Sequence, residues 1–242
     1  DRPIMRVNTR ALVLATVRYG ESDVIVKMLT ESSGLRSYMI RGLQKSKKGP
    51  FRPAMFQPLT QLQIQAMHRD KGQLERLTEA KVSAHYLSLH SDIVKSSMAL
   101  FLAEMFKMTL QEQEPNPELF GFLSDALLAL DASEGPLNFH LKIVLELQQY
   151  LGCYPDFQNE HLPYFNLEEG VFQDSSLGIT RSAAVLKDLC ALAKTPFSHL
   201  AQWKTTTRQR RELLDLLMDY MQMHATGFKR PKSIEIYRQV FG

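Results

Sequence analysis

The sequence predicts an α+β protein: a small N-terminal β-barrel followed by an all-helical region with one short insertion. Three observations carry that reading. Residues 11–78 break into short apolar runs cut by turn signals, whereas from residue 79 the apolar spacing becomes helical, near 3.6. The charge changes sign at the same place: residues 1–79 hold 14 Lys/Arg against 7 Asp/Glu, residues 80–203 hold 7 against 15, and residues 204–242 hold 8 against 4. Residues 32–69 contain no acidic side chain at all. Two domains, 1–79 and 80–242, are therefore expected, with surfaces suited to different partners.

Each element follows from local signals. Residues 11–18 (ALVLATVR) and 23–30 (DVIVKMLT) are rich in β-branched and aliphatic side chains, with Tyr19-Gly20-Glu21-Ser22 as the turn between them. After the turn Glu31-Ser32-Ser33-Gly34, Leu35, Ser37, Met39 and Arg41 alternate with Arg36, Tyr38 and Ile40. In residues 59–67, Leu62, Ile64 and Ala66 face one way and Gln61, Gln63 and Gln65 the other, so one face is expected buried and the other solvated. A fifth strand is expected at 73–78, after Lys71-Gly72. Five short strands suit a small closed or partly open barrel, of which the OB-fold is a single-strand-binding form.

Helix signals take over beyond residue 79. Asn116-Pro117 reads as an N-cap followed by proline at N1, heading a helix through Phe120, Leu123 and Leu127. Gly135-Pro136 separates it from a helix over 137–151 that stops at Gly152. Thr206 and Gln209 form a capping-box pair for a helix bearing Leu213, Leu214, Leu217, Met221 and His224. Residues 154–177 interrupt the helices with Pro155, Pro163 and Gly170, and a hairpin is expected at 164–167 and 171–173.

The functional signal is concentrated in residues 34–58 (GLRSYMIRGLQKSKKGPFRPAMFQP). Arg36, Arg41, Lys45, Lys47, Lys48 and Arg52 are candidate phosphate contacts, with Tyr38 and Phe51 as candidate stacking partners for bases. Uncompensated cations beside aromatic faces suit a polyanion with flat rings, which is nucleic acid. Gly42, Gly49, Pro50 and Pro53 break the stretch, so residues 44–52 are expected to form a mobile loop. A second cationic group, Lys204, Arg208, Arg210 and Arg211, sits where a helix begins, a position its dipole disfavours, and is the candidate for a second phosphate patch. Lys229, Arg230 and Lys232 could extend it. The bland alternative for both groups is solvated surface charge.

No constellation points to enzyme chemistry. Residues 42–49 carry the glycines of a phosphate loop but no Lys-Ser/Thr after them, and neither G-x-G-x-x-G nor Gly-x-Ser-x-Gly occurs. His85 and His90 are off the i, i+4 face of a zinc helix, and Glu168-Glu169 reads as solvated charge in a turn. Met98, Met105, Met108 and residues 218–223 read as core filler, with an adaptable peptide groove as the alternative. Cys153 and Cys190 give no disulfide framework, and no cofactor or metal is expected. The longest apolar stretch, 98–106, is interrupted by Glu104 and too short to span a bilayer. Residues 1–10 lack an apolar leader core, Met5 reads as a natural start, and a cytoplasmic, nucleoid-associated protein is expected.

These residues resemble a known family. Ala11-Leu12-Val13-Leu14, Tyr19-Gly20-Glu21, Thr30 with Gly34-Leu35, Arg41-Gly42 before the basic loop, and Gln57-Pro58 are similar to the RecO family of bacterial DNA-repair proteins. The resemblance continues through Glu114-Pro115-Asn116-Pro117, Leu119-Phe120, Leu151-Gly152 with Pro155, His224, Gly227-Phe228 and Lys232-Ser233. It implies an N-terminal OB-fold and a helical domain with a small zinc-binding insertion. It also implies binding of single- and double-stranded DNA, strand annealing, and loading of the RecA recombinase together with RecR. Contact with the C-terminal tail of single-stranded DNA-binding protein, SSB, is implied as well. This chain departs from the pattern at the zinc: the resemblance implies two C-x-x-C pairs after the Leu-Gly, which many relatives carry, whereas residues 156–180 contain no cysteine. The insertion is therefore expected to hold together without metal. A rival reading is a helical scaffold that binds acidic peptides and has no direct role on DNA.

Overall fold

The computed structural model describes residues 4–43, 49–69, 74–110, 114–182 and 184–241. Five strands, β1 (Met5–Tyr19), β2 (Asp23–Thr30), β3 (Gly34–Ile40), β4 (Gln61–His68) and β5 (Glu75–Val82), close into a barrel in the order β1-β2-β3-β5-β4. Neighbours are antiparallel except β3 and β5, which run parallel and pair through Tyr38–Glu75 and Met39–Arg76. This is the strand order of an OB-fold.

Two strands are longer than their patterns suggested. The first half of β1 pairs with β4, from Met5 opposite His68 to Leu12 opposite Gln61, and its second half pairs with β2 as far as Tyr19 opposite Asp23. A register shift between Val13 and Ala15 bends the strand so that it serves both neighbours. Arg6, Asn8 and Arg10 on its exposed edge hid that first half from an apolar pattern. β5 likewise runs past Thr78 to Val82, through Glu79 and Lys81, which face solvent.

The barrel has a filled interior and one covered side. Val24, Val26, Met28, Tyr38, Ile40, Leu62, Ile64 and Ala66 pack inside it. Leu12, Leu14, Leu29, Leu35 and Leu59 instead belong to a continuous core shared with the helices. That core is built from α1 (Ile93–Thr109), α2 (Pro117–Ala132), α3 (Phe139–Tyr150), α4 (Ala184–Lys194), α5 (Thr207–His224) and α6 (Ser233–Phe241). The caps read from sequence are in place: Asn116 accepts from the Leu119 N–H, and Thr206 and Gln209 complete a capping box. Met98, Met105, Met218 and Met221 are fully buried core residues.

A polar seam fixes barrel to helices. Gln61, expected on a solvated face, is buried: its Nε2 donates to the Tyr86 hydroxyl (3.0 Å) and the Ser124 carbonyl (3.2 Å). Ser124 Oγ donates back to Gln61 Oε1 (2.6 Å). The connecting segment is clamped by Asp131, whose carboxylate accepts the N–H groups of Leu87, Ser88 and Leu89 at 2.7–2.8 Å. Burial pushes that carboxyl up, but these donors and Lys95 outweigh it and leave it below the usual carboxylate range.

The insertion carries a three-stranded sheet in the order β7-β6-β8, from β6 (Tyr164–Asn166), β7 (Val171–Gln173) and β8 (Thr180–Ser182). Its centre is aromatic: Phe165 meets Phe172 at 5.0 Å between ring centroids, Phe172 meets Phe157 at 5.9 Å, and Phe165 meets Tyr220 of α5 at 5.8 Å. Asn166 Oδ1 accepts the Glu168 and Glu169 N–H groups and shapes the turn to Gly170. Among the described residues no group of three or more His, Cys, Asp or Glu is placed to hold a metal.

Candidate nucleic-acid interface

Strand alternation decides which of the basic-stretch residues can meet a ligand. Tyr38 was expected to stack on bases; the structure corrects this. It shares the inward face of β3 with Ile40, is 0% exposed, and its hydroxyl bonds His68 Nε2 at 2.9 Å. Burial, the largest cause, raises its hydroxyl well above the usual tyrosine range. Tyr38 is a core residue. Arg36 lies two residues earlier on that same inward face, opposite Met28, and is half-buried beside Tyr38 rather than grouped with Arg41.

The remaining residues fall into two sets. Arg41 is exposed where β3 ends, and Arg52 is exposed with its guanidinium donating to the carbonyls of Gly49 and Phe51. Phe51 is half-buried, packed on Phe56 at 6.1 Å. Lys45, Lys47 and Lys48 lie outside the described residues.

Arg41 and Phe51 meet in a groove of about 760 Å³ that runs over the β3–β5 seam. Met39, Met67, Leu74 and Leu77 supply an apolar floor, and Arg69 and Arg76 complete a rim of three arginines. All three are exposed, and among the described residues none is in an ion pair. Glu75 also lines the groove but is buried, and its carboxylate accepts the Arg69 N–H at 2.9 Å. Sequence reading missed Arg76 because the parallel β3–β5 pairing that sets it opposite Met39 is non-local. Arg69 was visible within the acid-free interval, yet nothing local joined it to Arg41.

The C-terminal cations are less available. Arg208 pairs with Glu212 at 2.7 Å, and Arg210 donates to the Thr205 carbonyl at 2.7 Å and to the hydroxyls of Thr205 and Thr207. Lys204 and Arg211 are exposed. On the barrel, Lys27 is held below the usual lysine range by burial first and by the like charge of Lys107 second.

These features define a class: an OB-barrel protein with a cationic open face and a helical region packed on its other side. Residues 5–86 match the family model described as Recombination protein O N terminal, and residues 90–233 match Recombination protein O C terminal. The chain is 41% identical over 239 residues to the DNA repair protein RecO of Christiangramia forsetii, spanning 98% of this chain and 100% of that one. It is 40% identical over 241 residues to the DNA repair protein RecO of Flavobacterium psychrophilum, at the same coverage. The chain belongs to the RecO family, and its role lies in DNA repair and recombination. No helix among the described residues is long and apolar enough to cross a membrane.

Proposed function

We propose that this chain is a non-enzymatic recombination mediator that binds single- and double-stranded DNA, anneals complementary strands, and helps load a recombinase onto SSB-coated DNA. The observation that carries the reading is the groove over the β3–β5 seam, where Arg41, Arg69 and Arg76 surround an apolar floor on the open side of an OB barrel. Neutralising two strands lowers their repulsion and lets bases pair without ATP. In this reading the barrel, which β5 carries past the boundary expected at residue 79 as far as Val82, is the DNA-binding domain, and the helical region beyond it, with the insertion near 154–177, meets RecR and SSB.

An acidic, Phe-ended SSB tail needs an apolar pocket rimmed by cations. A second groove of about 760 Å³ between α4 and the insertion offers Leu162, Pro163, Tyr164 and Leu186, with Lys187 and Lys194 alongside. Glu160 pairs with Lys194, so Lys187 is the cation we assign to the tail.

The test is fluorescence anisotropy of a labelled oligonucleotide across a salt series. If about six phosphates are neutralised, the log–log slope on a single strand is about −4. Replacing Lys45, Lys47 and Lys48 by Glu weakens binding and flattens the slope. Flat anisotropy at low salt, together with binding of an acidic tail peptide at the α4 groove, would replace this reading with the helical-scaffold one.

A further inference from the structure

The arginine rim accounts for phosphates but not for the apolar face beside it. Cross-strand register sets Val17 opposite Ile25, Ile25 opposite Met39, Met39 opposite Arg76, and Arg76 opposite Met67. Residues paired across strands share a face, so these five form one row around the outside of the barrel. Val17 is 56% exposed, and Ile25, Met39 and Met67 are half-buried. Elsewhere on the outside, Leu12, Leu14, Leu29, Leu35 and Leu59 are covered by helices; this row is open.

Tyr19 stands on the same face, two residues beyond Val17, and is also 56% exposed. Among the described residues it contacts no other ring. The hairpin carrying it is held in place. Gly20 turns the chain at φ +64°, and Asp23 Oδ1 accepts the Gly42 N–H at 2.8 Å, tying the hairpin to the end of β3 beside Arg41. That bond engages the carboxylate directly opposite Tyr19, and Glu21 lies beyond it in the turn. An exposed apolar row with a tyrosine at one end and Arg41 and Arg76 beside it complements a chain that has flat apolar rings on one side and anionic charge on the other.

We propose that Tyr19 and the Val17–Ile25–Met39 row form a base platform: unpaired bases lie against them while the phosphates pass over Arg41 and Arg76. This rests on the reading that the groove binds DNA, and adds that the barrel face distinguishes single strands through their bases. A duplex, whose bases are stacked inside, meets only the cations.

The experiment uses the full chain and three labelled probes of equal length: an oligothymidylate, the same backbone with abasic spacers, and a duplex. Tyr19→Ala lowers affinity for oligothymidylate about tenfold, leaves the salt slope unchanged, and leaves the abasic and duplex probes bound as before. Tyr19→Phe restores the oligothymidylate. Thermal melts of both variants coincide with the parent, since Tyr19 is exposed. Equal losses on all three probes, or no loss on any while the parent binds, would overturn the platform and leave the arginine groove standing. A parent that binds none of the probes at low salt would overturn the DNA reading itself.

Discussion

Two sets of arginines, one rimming the barrel groove and one between β8, α5 and α6, look alike in the sequence and are opposites in the structure. Arg41, Arg69 and Arg76 rim an open groove, and among the described residues their guanidinium groups are in no ion pair. In the helical region Arg181 meets Asp219 at 2.6 Å, Arg230 reaches both Asp215 and Asp219, and Arg238 reaches Asp215 and Glu235. That network ties β8 to α5 and α6. A guanidinium already neutralised by its own chain gains little from a phosphate and releases few counterions on meeting one. One set is open to solvent and the other is engaged by its own chain. Counting charge along the chain cannot separate them.

The largest expected effect breaks the barrel side of this comparison. The double variant Arg41→Glu with Arg76→Glu loses roughly a hundredfold in affinity for single-stranded DNA at moderate salt, with a flatter salt slope. Its urea midpoint stays close to the parent's because both residues are exposed. A retained slope would remove the two arginines from the interface.

Next comes what holds the helical side together. Phe172→Ala, in the aromatic centre of the insertion, costs about 3 kcal/mol by urea unfolding, whereas treatment with EDTA leaves the melting curve where it was. A melt shifted by the chelator would reinstate a metal in the insertion.

Stability also falls with pH in a defined window. His140 is fully buried against Tyr237, and burial, reinforced by the charge of Arg210, holds its pKa down to about 3 against an ordinary 6.5. Between those values the unfolded chain binds a proton that the folded one does not, so stability drops as pH falls from 6.5 towards 3. From pH 7 to pH 5 the loss is about 2 kcal/mol. Asp131 and Glu104, held below the carboxylate range, weaken the fold only at lower pH still. His140→Phe flattens the upper part of the profile; an unchanged profile would assign it to other groups.

The smaller effects sharpen the contrast. Arg230→Ala, which removes a partly exposed bridge between two aspartates, costs about 1 kcal/mol and leaves DNA affinity unaltered. Lys204→Ala with Arg211→Ala, the exposed members of the C-terminal patch, lowers DNA affinity two- to threefold, about one neutralised phosphate. A larger loss would promote that patch to a second site of equal rank.

Much of the fold was legible because it follows local rules. The period-two runs gave the barrel strands, and Leu62, Ile64 and Ala66 are each 0% exposed, as their alternation requires. The Asn116-Pro117 cap and the Thr206/Gln209 capping box act within one helical turn, so sequence spacing is sufficient to find them. Tyr38 shows where such reading fails. The alternation of β3 was visible, but which of its two faces closes the barrel depends on strands that join it from elsewhere in the chain. Gln61 fails for the same reason. Its polar face would be solvated in an isolated barrel, and helices cover it here with partners for both ends of the amide.

The sequence by itself determined the succession of strands and helices, the sign of charge along the chain, and the absence of cysteine from residues 156–180, because each is a property of neighbouring residues. Only the tertiary structure decided that Arg76 joins Arg41, that Tyr38 is core while Tyr19 is surface, and that Arg230 and Arg238 face aspartates of their own chain. Those outcomes depend on which distant strands pair and which surfaces are covered, and pairing and burial are fixed only when the whole chain closes on itself.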